Sequence, residues 1–199
     1  MTRRGEPQLA PPGHPPRGRA KARPYAFAIV VAVAALAGIA LYVFETEPGW
    51  YLRARYPLRY ESIVQGHARN YRLDPALVAA VIYTESKFDA DAKSDAGAIG
   101  LMQLLPDTAK GIAVRTGGAR FVVSDLYDPE INVCYGAWYL RHLLDRYDDE
   151  RTALAAYHAG QANVDRWRAR GLGIQFAQTR YYVDKVERLK RTYARAYGL

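Results

Sequence analysis

Residues 74–85 read DPALVAAVIYTE, and this stretch decides the fold of the chain. Asp74 is a good N-cap and Pro75 suits the first helical position, so the stretch predicts a helix that begins there. One face of that helix carries apolar residues at the helical period: Leu77, Val78, Val81 and Ile82. Glu85 follows them at the spacing that places it on the same face. We therefore expect a carboxyl group at the end of a largely apolar helix, on its buried side.

A buried carboxyl group has a specific chemical use. Burial disfavours the charged form and raises the pKa, which is what general acid catalysis requires near neutral pH. The alternative is that Glu85 joins a charge network or reaches solvent as the helix ends, because most glutamates are solvated. Residues 94–103, SDAGAIGLMQ, favour the catalytic interpretation. Their glycines allow a backbone to approach a ligand closely, and the amide of Gln103 can both donate hydrogen bonds to a polar ligand and accept them from it.

Five segments of the chain together carry a resemblance to a known family. The first runs from Ala80 through Glu85 and Ser86 to Ala109 and includes the glycine-rich loop. The others are DLYDPEIN at 125–132, GAWYL at 136–140, AAYHAG at 155–160 and TRYYV at 179–183. In this order the segments resemble the soluble lytic transglycosylase family, and several motifs in the right order are more specific than any one of them. The resemblance covers residues 57–186, which is most of the chain.

The resemblance implies an all-α, lysozyme-like helical domain of the goose-lysozyme type with a central catalytic helix. It implies cleavage of peptidoglycan between N-acetylmuramic acid and N-acetylglucosamine, with formation of a 1,6-anhydromuramic end and without a cofactor. Glu85 and Tyr157 correspond to catalytic residues, Glu85 as acid and then base, and Tyr157 through a hydrogen bond near Glu85 that orients it. The residues that correspond to substrate-binding positions are Ser86, Ser94, Gly100, Met102, Gln103, His158 and Tyr182. For Met102, core filling is an equally good interpretation.

Two residues depart from the family pattern. His158 stands where the family usually has asparagine, and Gln178 stands where it often has glutamate. His158 keeps hydrogen-bonding capacity, but we expect its charge to vary near neutral pH. Gln178 keeps the reach of a glutamate and loses the negative charge.

Two other functions remain open from the sequence. A hydrolytic muramidase on the same fold would need an aspartate such as Asp95 to position water. A weakly active wall-binding or assembly protein is suggested only by the two departures at His158 and Gln178. The intact segments 85–86 and 100–103 argue against this last interpretation.

The N-terminal region predicts a membrane anchor. Residues 1–24 are rich in Pro, Gly and Arg and predict a disordered tail. Residues 25–44 are an unbroken apolar run of the length that crosses a bilayer, with basic residues before it and Glu45 and Glu47 after it. The positive-inside bias predicts a cytoplasmic tail and an extracytoplasmic remainder. We divide that remainder into a juxtamembrane connector, 45–57, and a catalytic domain, 58–199. A cleavable signal peptide is the alternative, with small residues at Ala35 and Ala37.

Composition excludes some functions. The net charge is +8, but residues 1–44 account for +5 of it, so the exported part is only mildly basic. That balance fits an anionic wall polymer as well as ordinary solubility, and no basic stripe interleaved with aromatic residues favours nucleic acid. The single cysteine, Cys134, cannot form an internal disulfide and is predicted to be a small buried apolar residue. The histidines are scattered and show no metal-ligand spacing.

The remaining pattern predicts further helices. We expect them at 58–71, 106–113, 128–147 and 151–158, with another carrying Trp167 and a last one at 180–197. Asn163 and Thr179 are the predicted caps of these last two. A short extended piece is possible at 121–123.

Overall fold

The computed structural model describes Gly13 and residues 24–199. The predicted disordered tail therefore lies almost entirely outside the described residues. Within the described residues the regular elements are helices and there is no strand, which confirms the all-α prediction. The chain forms two compact units with a boundary between Thr46 and Glu47. The helices are α1 Pro24–Thr46, α2 Gly49–Arg55, α3 Glu61–Asn70, α4 Pro75–Ser86, α5 Pro106–Thr116, α6 Pro129–Arg146, α7 Glu150–Ala159, α8 Gln161–Ala169 and α9 Ala177–Tyr197.

The first unit contains α1. Its segment Phe27–Thr46 is long and apolar enough to cross a membrane, judged by length and composition, and it is not buried inside the protein. A signal sequence near an N-terminus has the same properties, so both interpretations of this segment remain compatible with α1.

The second unit is built around α4. Asp74 caps this helix as predicted, accepting a hydrogen bond from the Ala76 amide at 2.8 Å. The helix is buried on all sides from Ala76 to Tyr83, whereas the periodicity predicted a single buried stripe. The wider burial arises because α3 and α9 both pack against α4. The helix ends at Ser86, next to Lys87 in the left-handed conformation, and this places Glu85 in the last turn.

All residues of the two hydrophobic clusters lie in the second unit, between Tyr56 and Leu199. The second unit therefore contains its own core and needs nothing from α1 to bury it. The segment predicted as a connector contributes to this unit, because α2 packs on α9 and Leu52 is fully buried. Arg53 also donates to the Ala196 carbonyl at 2.8 Å.

Two predicted helix caps and one predicted extended piece need correction. Asn163 lies inside α8 and donates to the Ala159 carbonyl at 2.7 Å, so it does not cap the helix. Thr179 lies inside α9 and is buried. The possible extended piece at 121–123 is not a strand, since a 3₁₀ turn occupies Val123–Tyr127. Asp128, in contrast, caps α6 as predicted and accepts from two backbone amides.

Candidate active site

Glu85 is the centre of the site. The hydroxyl of Tyr182 donates a hydrogen bond to its Oε1 at 2.7 Å. Burial raises the pKa of Glu85 from 4.5 to about 7, although the Tyr182 hydrogen bond and the charge of Lys185 both act to lower it. Some of the residue is accessible, but the carboxyl group is largely enclosed by protein. Desolvation is therefore the dominant influence, as expected for a general acid.

The carboxyl group opens onto a pocket of about 500 Å³. Its lining is formed by Thr84, Glu85, His158, Gln178, Tyr181, Tyr182 and Lys185. Glu85 is the only carboxylate among these residues, and Lys185 is the only basic side chain besides the imidazole. The hydroxyl of Thr84 is buried and has no hydrogen-bond partner among the residues described. The pocket therefore combines one acid with polar groups that can hydrogen-bond a ligand.

His158 supports Tyr182 from the side. The two rings lie 4.5 Å apart between centroids, and His158 Nδ1 is 3.1 Å from the Thr179 hydroxyl. The residue is exposed overall, but the partial burial of its ring lowers its pKa. The imidazole is therefore neutral at neutral pH. From the sequence we expected its charge to vary near neutral pH, but in the folded protein it becomes protonated only at more acidic pH.

Tyr157 does not make the hydrogen bond that the family resemblance implies. Its hydroxyl donates to the Met102 carbonyl at 2.8 Å, and the bond to Glu85 comes from Tyr182 instead. Burial, followed by the nearby charge of Glu85, raises the pKa of both tyrosines well above 10. Both are therefore neutral hydrogen-bond donors. Tyr182 is positioned to orient Glu85, whereas Tyr157 anchors the backbone of the glycine-rich loop at Met102.

Asn132 organises the glycine-rich loop, and sequence reasoning did not single it out. Its side-chain amide donates to the carbonyls of Ile99 and Leu126 at 2.9 and 2.8 Å, and its oxygen accepts from the Met102 amide at 2.8 Å. Gly100 has a φ of +78°, and an added Cβ would collide with the Asn132 side chain. The signal in the sequence is its spacing: Asn132 stands four and eight residues before Gly136 and Leu140, on the face of α6 that is buried.

The serines predicted to bind substrate hold the loop instead. Ser86 donates to the carbonyl of Leu101 at 2.8 Å, which ties the end of α4 to the loop. Ser94 accepts from the Ala98 amide at 3.0 Å, which closes the turn. Neither serine lines the pocket.

The remaining loop residues of the predicted substrate-binding set also face the protein. Gln103 donates to the Gly100 carbonyl at 3.0 Å and lies outside the pocket lining. Met102 is fully buried, and its side chain packs against Gly136. Of the two interpretations that the sequence left open for Met102, core filling is the one the structure has. A side chain without exposed surface cannot contact a sugar unless the loop moves.

Cys134 lies outside the pocket of Glu85 and occupies a polar environment. It is half-buried, with its sulfur 3.3 Å from the Tyr71 hydroxyl, so the prediction of a buried apolar residue is wrong. The neighbouring imidazole of His67 is the main cause that lowers the pKa of the thiol. His67 Nε2 in turn lies 2.8 Å from Glu130 Oε1. Among the described residues, no group of three or more His, Cys, Asp or Glu side chains is arranged to hold a metal.

The chain matches the family model of the transglycosylase SLT domain over residues 62–173, and it belongs to that family. A transglycosylase of Enterobacteria phage PRD1 is 42% identical over 113 residues, covering 57% of this chain and 39% of the relative. A membrane-bound lytic murein transglycosylase F of Pseudomonas fluorescens is 35% identical over 122 residues, covering 58% and 23%. This chain therefore spans well under half the length of these curated relatives.

A solved structure has the same fold. The lytic transglycosylase Slt of Pseudomonas aeruginosa, solved as an inactive glutamate-to-glutamine mutant, superposes with a TM-score of 0.67 at 30% identity. The match covers 73% of this chain and 26% of that chain. The lysozyme-like helical fold inferred from the sequence is thus confirmed.

Proposed function

We propose that this chain is a membrane-anchored peptidoglycan lytic transglycosylase. It cleaves the β-1,4 bond between N-acetylmuramic acid and N-acetylglucosamine and leaves a 1,6-anhydromuramic end. One observation carries the proposal: Glu85, with its pKa raised to about 7, is the single carboxylate among the described residues that line the pocket. Membership of the transglycosylase SLT family supports it.

The proposed reaction uses Glu85 twice. In the first half, protonated Glu85 donates its proton to the glycosidic oxygen, and the bond to the anomeric carbon of muramic acid breaks. In the second half, ionised Glu85 takes the proton from the 6-hydroxyl of the same sugar, whose oxygen attacks the anomeric carbon. The residue returns to its protonated state and no water is consumed. A pKa of about 7 suits both halves, since neither protonation state is strongly disfavoured near neutral pH.

Tyr182 is the positioning residue in this mechanism. Its hydrogen bond to Oε1 leaves the other carboxyl oxygen for the substrate and stabilises the ionised form between the two halves. The intramolecular attack removes the need to position a water molecule, which is an entropic advantage.

The hydrolytic alternative has less support. Hydrolytic glycosidases generally place two carboxyl groups about 5–9.5 Å apart across the bond that is cleaved. Asp95, the aspartate considered for this role, is exposed and is not among the pocket residues. Asp89 and Asp91 are also exposed and lie outside the lining.

We further propose a single-pass topology. The apolar segment Phe27–Thr46 would span the membrane, with the basic residues before it in the cytoplasm. The catalytic domain would then face the peptidoglycan outside, and its glycan strands are the proposed binding partner. The membrane-bound designation of the Pseudomonas fluorescens relative supports this arrangement.

Mass spectrometry of the fragments released from purified peptidoglycan by residues 47–199 tests the reaction. We expect fragments lighter by one water than hydrolysis products, with no reducible muramic end. Glu85→Gln should abolish release, and Glu61→Gln, at an exposed glutamate of α3, is the matched control that should not. Reducible ends would identify a muramidase, and release by Glu85→Gln would disprove the proposed acid.

A further inference from the structure

A second, larger pocket lies beside the catalytic one. This basic groove, of about 650 Å³, runs along α9 next to α2. Six of its lining residues are cationic: Arg55, Lys87, Lys185, Arg188, Arg191 and Arg195. Its only carboxylate is Glu47. The positive charge in the basic groove is therefore high, although the net charge of the exported part is small.

Most of this charge is not neutralised by the protein. Among residues 24–199, Arg195 is the only one of the six that pairs with a carboxylate, at 2.6 Å from Glu47. Lys185 is partly buried, and this burial together with the neighbouring charges of Lys87 and Arg188 lowers its pKa. Cations that crowd together in a concave surface favour binding of an anionic partner.

One lining residue of the basic groove directly follows α1 in the sequence. Glu47 lines the groove and directly follows Thr46, the last residue of α1. If α1 spans the bilayer, Glu47 is within one residue of the spanning helix, at the level of the lipid headgroups. Trp50, in the first turn of α2, is 63% exposed. Exposed tryptophan is typical of membrane interfaces, where its amphipathic ring lies among the headgroups.

We propose that the basic groove binds the phosphate headgroups of anionic phospholipids in the outer leaflet of the membrane that anchors the chain. The proposal rests on the membrane-anchored topology inferred above and is independent of the glycan chemistry. Tyr181 and Lys185 line both the basic groove and the catalytic pocket. Lipid binding would therefore hold the catalytic pocket against the bilayer and direct it to glycan strands close to the membrane.

Co-sedimentation of residues 47–199 with lipid vesicles tests the proposal. We expect binding to phosphatidylcholine vesicles that contain phosphatidylglycerol, no binding to phosphatidylcholine alone, and weakening by salt. Arg188→Gln/Arg191→Gln should weaken binding about 25-fold, since each basic residue near an anionic surface contributes about 5-fold. Lys110→Gln/Arg115→Gln, on the exposed surface of α5, changes the net charge equally and should leave binding nearly unchanged. Circular dichroism verifies that each variant is folded.

Three results would overturn the proposal. Absence of binding to anionic vesicles would do so directly. If both double variants weakened vesicle binding equally, binding would depend on the net charge of the domain and not on the basic groove. The third result has two parts. The Arg188→Gln/Arg191→Gln variant would bind vesicles as the wild type does, and it would cleave peptide-bearing glycan more slowly than peptide-free glycan. That result would assign the basic groove to the anionic peptides of the substrate. Transglycosylase products from the wild-type domain can be measured in parallel, so failure of lipid binding and failure of the proposed activity are distinguishable.

Discussion

The hydroxyl of Tyr182 lies 2.7 Å from Oε1 of Glu85, although the two residues are 97 positions apart in the chain. The contact exists because α9 packs along α4 and presents Tyr182 to the last turn of that helix. It joins a buried acid to a neutral donor that favours the ionised form, while burial favours the protonated form. Burial outweighs the Tyr182 hydrogen bond and the charge of Lys185, so the pKa of the proposed catalytic acid is raised.

The raised pKa of Glu85 makes stability depend on pH. In the unfolded chain the carboxyl ionises near pH 4.5, whereas in the folded protein it ionises near 7. Its contribution to stability should therefore fall as pH rises from 4.5 to 7, by up to about 3 kcal/mol. Glu85→Gln should remove this decrease and be the more stable protein above pH 7. Urea unfolding across this pH range measures it, and parallel curves for the two proteins would contradict the expectation.

Tyr182→Phe should change the pH profile of activity. Removing the donor makes the ionised carboxylate less stable and so raises the pKa of Glu85. In the profile of kcat/KM against pH, the alkaline limb should therefore move from about 7 to a higher pH. A hydrogen bond to a charged group contributes about 1.5–3 kcal/mol, which corresponds to a shift of roughly one to two pH units. We also expect kcat to fall, because the carboxyl group loses its orientation. Initial rates of peptidoglycan solubilisation against pH measure both effects.

Tyr157→Phe is the control for that experiment. Its hydroxyl bonds the Met102 carbonyl rather than Glu85, so the alkaline limb should stay in place. The variant should instead lose about 1 kcal/mol of stability from the missing hydrogen bond. Equal displacement of the limb by the two substitutions would show that the assignment of roles to the two tyrosines is wrong.

Gly100→Ala should destabilise the domain more than Gly97→Ala. Both glycines have positive φ, so alanine is strained by about 1 kcal/mol at either position. At Gly100 the added Cβ also meets the Asn132 side chain and the Leu126 carbonyl, whereas at Gly97 it meets open space. We expect the Gly100 variant to lose about 1–3 kcal/mol more, by thermal or urea unfolding. Similar losses would mean that the loop can move away from Asn132 at little cost.

Cys134 should ionise at a lower pH than an ordinary cysteine. The neighbouring imidazole of His67 is the main cause, because it favours the thiolate over the thiol. The midpoint of the pH–rate profile for alkylation by iodoacetamide should therefore lie below the ordinary value of about 8.5 and should rise in His67→Gln. His142→Gln, at an exposed histidine stacked on Trp138, is the control and should leave the midpoint unchanged. An unchanged midpoint in His67→Gln would refute the coupling.

Local signals were sufficient for the framework of the fold. The signals for α4 come from neighbouring residues: the cap at Asp74, the proline after it and the apolar run. The start of the helix and its end near Glu85 could therefore be predicted. The same reasoning predicted the start of α6 from Asp128 and Pro129. It was wrong at Asn163 and Thr179, because a residue type that favours caps also serves inside a helix when another partner satisfies its side chain. For Asn163 that partner is the local Ala159 carbonyl, and for Thr179 it is His158 of another helix.

The sequence by itself determined that this chain is helical, that an acid ends its central helix, and which family it resembles, because these depend on local spacing and ordered motifs. Only the tertiary structure decided that Tyr182 rather than Tyr157 bonds Glu85, and that Met102 fills the core. It alone brought the cations of α2, Lys87 and α9 into one groove. These outcomes depend on how helices distant in the chain pack together, and side-chain partners across such contacts are not encoded in the spacing of any one segment.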